Sequence, residues 1–128
     1  MLPYELEFLI ALILTVSIEL VVIIFLVKVF YKNERFIIRD VIFSGTLPSV
    51  TTLPYVWFIF PYFIAERQLY LVSVESFAVI VESLIIALIL KCGFKQSFLF
   101  SLIANIISAT LGFFLKGVIV NFLLSHIE

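Results

Sequence analysis

Charged side chains are scarce in this chain of 128 residues: only 13% of its residues are Asp, Glu, Lys or Arg, whereas 64% are hydrophobic. Soluble domains carry about 25% charged residues. A chain this apolar lacks the polar groups needed to cover a surface in water, so its solvent must be lipid. The net charge of −1 gives no indication of a nucleic-acid partner. We therefore expect an integral membrane protein whose first partner is the lipid bilayer.

Cysteine and histidine are nearly absent, with one residue of each. Cys92 has no second cysteine for an internal disulfide, and His126 lies near the C-terminal end, remote from it in sequence. The HExxH, nucleophile-elbow and phosphate-loop signatures are missing as well. We expect no enzyme activity, no catalytic residues, no metal and no cofactor. Acid–base chemistry on a lipid by two carboxyl groups is the more distant alternative.

Four apolar stretches are each long enough to cross a bilayer, which takes roughly 20 residues per helix. They cover residues 8–27, 41–65, 69–90 and 97–124. The short connections leave no room for a soluble domain, so the sequence predicts an all-α fold: one transmembrane domain, 1–128, built as a bundle of four transmembrane helices. The first stretch is not expected to be a cleaved signal peptide, because it is too long and Glu19 interrupts it.

The second stretch contains three prolines, Pro48, Pro54 and Pro61. A proline inside a helix removes a backbone hydrogen bond and clashes with the preceding turn. At membrane depth, nearby hydroxyl groups can bond the carbonyls that are freed. The hydroxyls placed to do so belong to Ser49, Thr51 and Thr52. We expect the second span to be kinked or broken: either a kinked but continuous helix or an unwound segment that faces the glutamates.

Basic residues concentrate around two of the connections. They are Lys28, Lys32, Arg35 and Arg39 at the first connection, and Lys91 and Lys95 at the third. By the positive-inside rule, the connections 28–40 and 91–96 are cytoplasmic and both termini are outside, in a membrane that we expect to be a prokaryotic plasma membrane. Acidic and amphipathic aromatic residues mark the other side: Glu5, Glu7, Glu66, Glu128, Tyr4, Tyr55, Trp57, Tyr62 and Tyr70.

The chain contains an internal similarity. ELVVIIFLVK, which starts at Glu19, aligns with ESLIIALILK, which starts at Glu82, and each is followed by a turn and a second helix. This pattern indicates two repeats, 5–65 and 66–125, related by an axis along the membrane normal because each contains two spans. Two registers remain open for the second helices. One pairs Phe43-Ser44 with Phe100-Ser101 and Thr51 with Ser108; the other pairs Ser49 with Asn105 and Thr52 with Ser108.

Polar residues occur at one depth in all four spans. Glu19 and Glu82 each lie nine residues before a lysine, which places them roughly 13 Å from the basic side of a core about 30 Å thick. Counting up from the same side gives a similar depth for the polar residues of the other two spans: Ser49, Thr52, Asn105 and Ser108. The sequence thus predicts one mid-membrane layer. With no cation at that depth, we expect both glutamates to be mostly protonated at neutral pH and to donate hydrogen bonds to Asn105, Ser49 or Thr52.

A stripe of mostly small and polar residues follows one face of the fourth span: Ser97, Ser101, Asn105, Ser108, Gly112 and Lys116. Such faces are typical of contacts between membrane helices, and we expect the serines and Gly112 of this stripe, which we call the α5 stripe, to serve helix packing. If the protein is a transporter, the stripe is also the expected contact of a homo-oligomer or of a membrane-protein partner. Glu75 lies two turns from Glu82 on the same face, and Lys116 is its expected partner.

Two functions are compatible with the layer. In the first, Glu82 and Glu19 exchange a proton or bind a small cation, Glu75 is an outer relay, and the protein is a proton- or cation-coupled transporter or channel-type protein. In the second, the carboxyl groups only fix helix packing, and the protein is a non-catalytic structural or accessory subunit of a larger membrane complex.

Overall fold

The structure is a computed structural model that describes residues 3–30 and 37–127. Its helices are α1 (Tyr4–Phe30), α2 (Ile38–Phe58), the single turn α3 (Phe60–Phe63), α4 (Arg67–Leu90) and α5 (Phe94–Ile127). No strand occurs in these two ranges, which confirms the all-α prediction. Three of the helices, α1, α4 and α5, are long and apolar enough to cross a membrane, which is consistent with a membrane location. The predicted basic residues Lys32 and Arg35, and Glu128, lie outside the described residues.

The four long helices form a square. Helix α1 packs against α2 and α5, and α4 packs against the same two helices. Among the described residues, α1 and α4 therefore occupy one diagonal of the square, and α2 and α5 occupy the other. A side chain that points inward from α1 or α4 lies between the two helices of the other diagonal.

Packing differs between the two ends of the bundle. We call the end where α1 and α4 finish the core end, because the buried apolar cluster lies on that side: Ile23, Leu26, Val27, Val41, Ile86, Leu90, Phe100 and Ala104. At the other end, which we call the open end, burial stops early. In the described chain, no residue of α1 before Glu19, of α2 after Thr52 or of α5 after Ser108 is buried.

Helix α2 is continuous through Pro48 and Pro54 and is interrupted only at Ile59, before Pro61. The continuous form of the two expected outcomes is therefore the observed one. The expectation that the hydroxyls of Ser49, Thr51 and Thr52 would bond the carbonyls freed by the prolines was wrong. The prolines free the carbonyls of Ser44 and Val50, but Thr51 and Thr52 bond the carbonyls four residues before them, on Leu47 and Pro48.

A glycine allows α1 and α2 to approach closely at the edge of the polar layer. A Cβ atom on Gly45 would lie 2.9 Å from the Cα of Leu20, so a side chain there would push the two backbones apart. Ser49 follows Gly45 by one helical turn, and Glu19 precedes Leu20 directly. The close approach at Gly45 therefore holds Ser49 against Glu19.

Candidate functional site

Two carboxyl side chains are buried at the same level of the bundle. Glu19 on α1 is 3% exposed and Glu82 on α4 is 2% exposed. Burying an ionisable group is costly unless hydrogen bonds compensate for the lost water. Because α1 and α4 are diagonal, each carboxyl group reaches both α2 and α5, and these two helices supply the compensating groups.

The carboxyl group of Glu19 contacts one hydroxyl from each neighbouring helix. Ser49 of α2 donates to its Oε2 atom in a short hydrogen bond. Ser108 of α5 lies 3.0 Å from its Oε1 atom and donates to it. All three residues are buried, so both carboxyl oxygens of Glu19 are bonded by side chains away from the bundle surface.

The carboxyl group of Glu82 has the same arrangement with different chemistry. Thr52 of α2 donates to its Oε1 atom at 2.8 Å, and the amide nitrogen of Asn105 on α5 donates to its Oε2 atom at 2.5 Å. Asn105 is also bonded to the carbonyl of Ser101 at 2.8 Å, so its amide is held in place by its own helix. We call these six residues the polar layer: Glu19, Ser49, Thr52, Glu82, Asn105 and Ser108.

The direction of one hydrogen bond contradicts the sequence-based expectation. We expected the glutamates to donate to Asn105, Ser49 or Thr52. An amide nitrogen can only donate, so Glu82 is the acceptor in its contact with Asn105. Serine and threonine hydroxyls can donate or accept, and their contacts are compatible with either protonation state of the carboxyl groups.

The pairings exchange regularly between the two halves of the chain. Glu19 bonds Ser49 of its own helical hairpin and Ser108 of the other hairpin. Glu82 bonds Asn105 of its own hairpin and Thr52 of the other. Ser49 and Asn105 thus each bond the glutamate of their own hairpin, whereas Thr52 and Ser108 each bond the glutamate of the other hairpin.

A cavity of about 160 Å³ lies beside the polar layer, in the interior of the bundle. Its polar lining residues are Thr15, Thr52, Glu75, Glu82, Asn105 and Ser108, and its other lining residues include Trp57, Val74 and Ala109. Glu75, which lies on α4 two turns from Glu82 toward the open end, borders this cavity with a partly exposed side chain. The cavity therefore connects the carboxyl group of Glu82 with that of Glu75.

A second, larger recess of about 440 Å³ lies between α4 and α5. It is lined mainly by apolar side chains, among them Val79, Ile80 and Phe98. Glu75 and Asn105 line both this recess and the interior cavity. These two residues mark the place where the polar interior comes nearest to the side of the bundle.

The first half of the α5 stripe faces the interior of its own bundle. Ser97 and Ser101 are fully buried, and Ser101 donates to the carbonyl of Val79 on α4 at 3.1 Å. The expected helix packing is therefore confirmed for these two serines, whereas this half of the stripe is occupied within the chain and is not free to contact another protein. Gly112 has no atom of another helix, among the described residues, within 4 Å of where its Cβ would be, so it is not a close helix contact here.

Lys116 ends the stripe with a partner other than the one expected. Its Nζ atom lies 3.7 Å from the carboxylate of Glu7 on α1 and 4.7 Å from the centre of the Trp57 ring on α2. The expected pairing of Lys116 with Glu75 was wrong. The reason is rotational: the sequence gives the height of Lys116 along α5, but the helix turns its side chain toward α1 and α2.

Aromatic residues surround the last turn of α2 at the open end of the bundle. Tyr4 of α1 donates to the carbonyl of Trp57 at 2.5 Å, and Tyr70 of α4 donates to the carbonyl of Val56 at 2.7 Å. The last carbonyls of a helix have no partner within the helix. The two tyrosines supply these partners and so tie the end of α2 to both helices of the other diagonal.

The sequence reasoning missed two buried serines and Gly45. Ser44 donates to the carbonyl of Val41, and Ser83 donates to that of Val79. Ser83 carried a usable signal, because Val79, Ser83, Ile86 and Leu90 recur at spacings of four, three and four, which places them on one helical face. Among the described residues, no group of three or more His, Cys, Asp and Glu residues is arranged to hold a metal ion.

Comparisons of the chain with protein-family models, with curated proteins and with solved structures gave no match.

Proposed function

We propose that this protein crosses the membrane four times and moves protons or small cations through its bundle, with Glu82 and Glu19 as the exchanging groups and Glu75 as an outer relay. One observation carries the proposal. Glu82 is 2% exposed, yet it borders a cavity that is also lined by Glu75 and by four uncharged hydroxyl or amide side chains, those of Thr15, Thr52, Asn105 and Ser108. A carboxyl group that served packing alone has no need of such a cavity. Ionisable residues at membrane depth commonly mark ion pathways.

Helix α2 is the fourth span in this proposal. It has 21 residues, which corresponds to roughly 31 Å, about the thickness of the hydrocarbon core. It also supplies Ser49 and Thr52 to the polar layer. Its polar residues lower its hydropathy, but three of them, Ser44, Ser49 and Thr52, are buried against the other helices.

The proposed orientation places the core end in the cytoplasm of a prokaryotic cell, with the plasma membrane as the location and both termini outside. Support comes from the charges at that end: Lys28, Arg39, Lys91 and Lys95. A cysteine introduced at Lys95 and one introduced at Glu5, each in a Cys92→Ser background, test this in intact cells. A membrane-impermeant maleimide should label the cysteine at position 5 only; labelling of position 95 alone would reverse the orientation.

We also propose that the two hairpins, 5–65 and 66–125, are repeats. The support is the exchange of partners in the polar layer, where Ser49 matches Asn105 and Thr52 matches Ser108. A square bundle with like helices on each diagonal is the arrangement that a two-fold axis along the bundle would produce. Such a repeat supplies two carboxyl groups from one ancestral position.

The second candidate function is that of a non-catalytic accessory subunit or of one copy in a homo-oligomer. Two observations favour it. Among the described residues, no buried side-chain nitrogen or oxygen atom lacks a hydrogen-bond partner, as expected of a layer that fixes packing. Moreover, the open end of the bundle buries few of its side chains and leaves large aromatic ones exposed, including Phe113 and Phe114. These would be available to another membrane protein.

Flux measurements separate the two functions. Purified wild-type protein and the variants Glu82→Gln and Glu19→Gln are reconstituted into liposomes, and proton, sodium and potassium movements are followed with fluorescent indicators. Glutamine keeps the size and hydrogen-bonding capacity of glutamate but does not ionise. Transport predicts ion movement by the wild type that depends on Glu82 and Glu19.

Glu5→Gln is the matched control, because Glu5 is an exposed carboxyl group at the open end. It should behave like the wild type. If the wild type moves none of the three ions, or if Glu82→Gln moves them at the wild-type rate, the transport proposal fails. In that case, the size of the purified assembly, measured by native mass spectrometry, tests the accessory-subunit proposal.

A further inference from the structure

Two hydroxyl groups of the polar layer each lie within hydrogen-bonding distance of two acceptors. The Thr52 hydroxyl is 2.8 Å from Oε1 of Glu82 and 3.1 Å from the carbonyl oxygen of Pro48. The Ser108 hydroxyl is 3.0 Å from Oε1 of Glu19 and 3.2 Å from the carbonyl oxygen of Asn105. A hydroxyl has a single hydrogen atom, so each of these groups donates to one acceptor at a time.

This geometry satisfies both protonation states of each carboxyl group. When Glu82 is ionised, Thr52 donates to its Oε1 atom. When Glu82 carries a proton on Oε1, that O–H group donates to the Thr52 oxygen, and the Thr52 hydroxyl turns to donate to the carbonyl of Pro48. No covalent bond of Thr52 changes, and no heavy atom has to move. Ser108 allows the same exchange for Glu19.

The remaining partner of each carboxyl group has no reason to turn: Asn105 presents an amide nitrogen, and the Ser49 hydroxyl, among the described hydrogen bonds, has no second acceptor. Asn105 donates to Oε2 of Glu82 through an amide nitrogen that cannot accept, and Ser49 donates to Oε2 of Glu19. Both the neutral and the ionised carboxyl group can accept there. The proton therefore belongs on Oε1 of each glutamate, opposite the hydroxyl that can turn.

The contacts of the two carboxyl groups are those of a hydrogen-bonded site. A hard cation such as Ca²⁺ takes about six to eight oxygen ligands, whereas each carboxyl group here is bonded by two side-chain donors, and one of these donors, the amide nitrogen of Asn105, cannot coordinate a cation. The ionisable groups around the layer are Glu19 on α1 and Glu82 and Glu75 on α4. In the described chain, α2 and α5 contribute only uncharged groups at this level, since Lys116 is engaged with Glu7 at the open end.

The interior cavity also gives water molecules access to the hydroxyls of Thr52 and Ser108. Thr52 and Ser108 both line the interior cavity of about 160 Å³. Water takes roughly 30 Å³ per molecule in the liquid and needs polar partners when buried. The cavity has room for a few molecules and has such partners in Glu75, Glu82 and Asn105. A proton can therefore be delivered to the Oε1 side of the layer.

We infer that the ion exchanged by this protein is the proton, held on Oε1 of Glu82 and of Glu19, and that Thr52 and Ser108 are positioning residues that turn their hydroxyls as the proton arrives and leaves. The inference rests on the proposed transport function and narrows it from protons or small cations to protons alone. It also distinguishes Thr52 and Ser108, whose hydroxyls turn, from Ser49, whose hydroxyl stays a donor.

The test compares Thr52→Val with Thr52→Ser in liposomes. Valine keeps the shape of threonine but removes the hydroxyl, whereas serine keeps the hydroxyl. Loss of a hydrogen bond to a charged group corresponds to about a tenfold or larger effect. We expect Thr52→Val to lose proton flux by about tenfold or more, and Thr52→Ser to recover most of it. Thr51→Val is the matched control, because the Thr51 hydroxyl donates to the carbonyl of Leu47 on the exposed side of α2.

Infrared spectroscopy provides a second measurement that a purely structural role would not move. The carboxylic-acid band of Glu82 is identified as the one absent from Glu82→Gln. In Thr52→Val this band should shift to higher frequency, because its O–H group has lost an acceptor, and Thr52→Ser should restore it. If Thr52→Val does not fold, Ser108→Ala and the band absent from Glu19→Gln test the same exchange, with Thr110→Val as control, since Thr110 bonds only its own helix.

The outcomes distinguish the two levels of the argument. Flux of sodium or potassium that depends on Glu82 while protons do not move would overturn the proton inference and leave the transport proposal standing. Wild-type proton flux and an unshifted band in Thr52→Val would overturn the turning-hydroxyl inference alone. A wild-type protein that moves no ion would overturn the transport proposal itself.

Discussion

Glu19 and Glu82 lie in the same layer, and each accepts two side-chain hydrogen bonds, yet their surroundings differ in two respects. Glu82 borders the interior cavity directly, whereas the cavity reaches the contacts of Glu19 through Ser108. Glu82 has an amide donor, whereas Glu19 has two hydroxyl partners. The two carboxyl groups thus accept the same number of side-chain hydrogen bonds, but they differ in their access to the interior cavity.

The difference assigns separate parts to two residues that the sequence treats alike. Glu82, with the cavity and Glu75 beside it, has a path toward the open end. Glu19 lies next to the close contact between Gly45 and Leu20, where α1 and α2 leave no space. In the proposed transport function, Glu82 is therefore the group that exchanges with the outer side, and Glu19 receives the proton from within the layer.

The largest expected effect is a difference in proton flux between the Glu82→Gln and Glu19→Gln variants. Glu82→Gln should remove proton flux almost completely, because it eliminates the group at the cavity. Glu19→Gln should leave a measurable residual flux, because exchange at Glu82 remains. Initial rates of proton uptake in liposomes at equal protein density measure both. Equal losses in the two variants would contradict the asymmetry, and a larger loss in Glu19→Gln would reverse it.

Gly45→Ala should act on the Glu19 side selectively. The added Cβ would lie 2.9 Å from the Cα of Leu20, and such overpacking costs about 1–3 kcal/mol. We expect a lower thermal unfolding temperature in detergent and a shifted infrared band for Glu19, with the band of Glu82 unchanged.

Gly112→Ala is the control for this variant, because nothing lies within 4 Å of the position of its added Cβ. It should be neutral or slightly stabilising, since alanine is the better helix former by about 1 kcal/mol. Equal behaviour of the two alanine variants would show that α1 and α2 are not held together at Gly45.

The depth of each polar residue along its helix could be predicted from the sequence, but the side chain that it contacts could not. The number of residues between a mid-span polar group and the nearest basic group fixes its height along a regular helix, so the six residues of the polar layer were assigned to one level, where the structure brings them into contact. The same reasoning gave Lys116 the wrong partner. Height says nothing about rotation around the helix axis, which depends on how α5 packs against α1 and α2.

Close backbone contacts were equally out of reach of the sequence reasoning. Gly112 stood in a stripe of small residues and was expected to be a contact, whereas Gly45 lay among prolines and hydroxyl residues and was overlooked. The structure gives them opposite environments. A glycine permits close packing, but only the position of the neighbouring helix decides whether packing occurs. The two open registers of the proposed repeat could not be separated from the sequence either, because apolar helices tolerate a shift of one residue.

The donors of the two carboxyl groups should differ in their effect on stability. Asn105→Ala removes a buried amide that bonds both Glu82 and the carbonyl of Ser101, whereas Ser49→Ala removes one hydroxyl contact to Glu19. Hydrogen bonds between membrane helices are worth about 0.6 kcal/mol on average and up to about 1.7 kcal/mol. We expect losses toward the upper value for Asn105→Ala and toward the average for Ser49→Ala in the free energy of unfolding.

Reversible unfolding in mixed detergent micelles measures both values, and Ser125→Ala serves as the control because its hydroxyl is exposed near the end of α5. A larger loss for Ser49→Ala would mean that Glu19, and not Glu82, depends more on its donors. The comparison between the carboxyl groups would then have to be based on access alone.

The smallest expected effect lies at the open end, where Lys116 contacts Glu7 and the Trp57 ring. Both ionic side chains are 29% exposed, and ion pairs of this kind contribute about 0.2–1 kcal/mol. Lys116→Met should therefore reduce the free energy of unfolding by less than about 1 kcal/mol. It should leave the infrared band of Glu82 in place, because the partner of Lys116 is Glu7.

If Lys116→Met shifts the Glu82 band or changes proton flux as strongly as Glu82→Gln does, then Lys116 acts on the polar layer itself. The carboxyl groups would then differ through a charge at the open end rather than through the cavity. The exchange Glu7→Lys with Lys116→Glu should restore the stability lost in either single variant, because it re-forms the pair with its charges reversed.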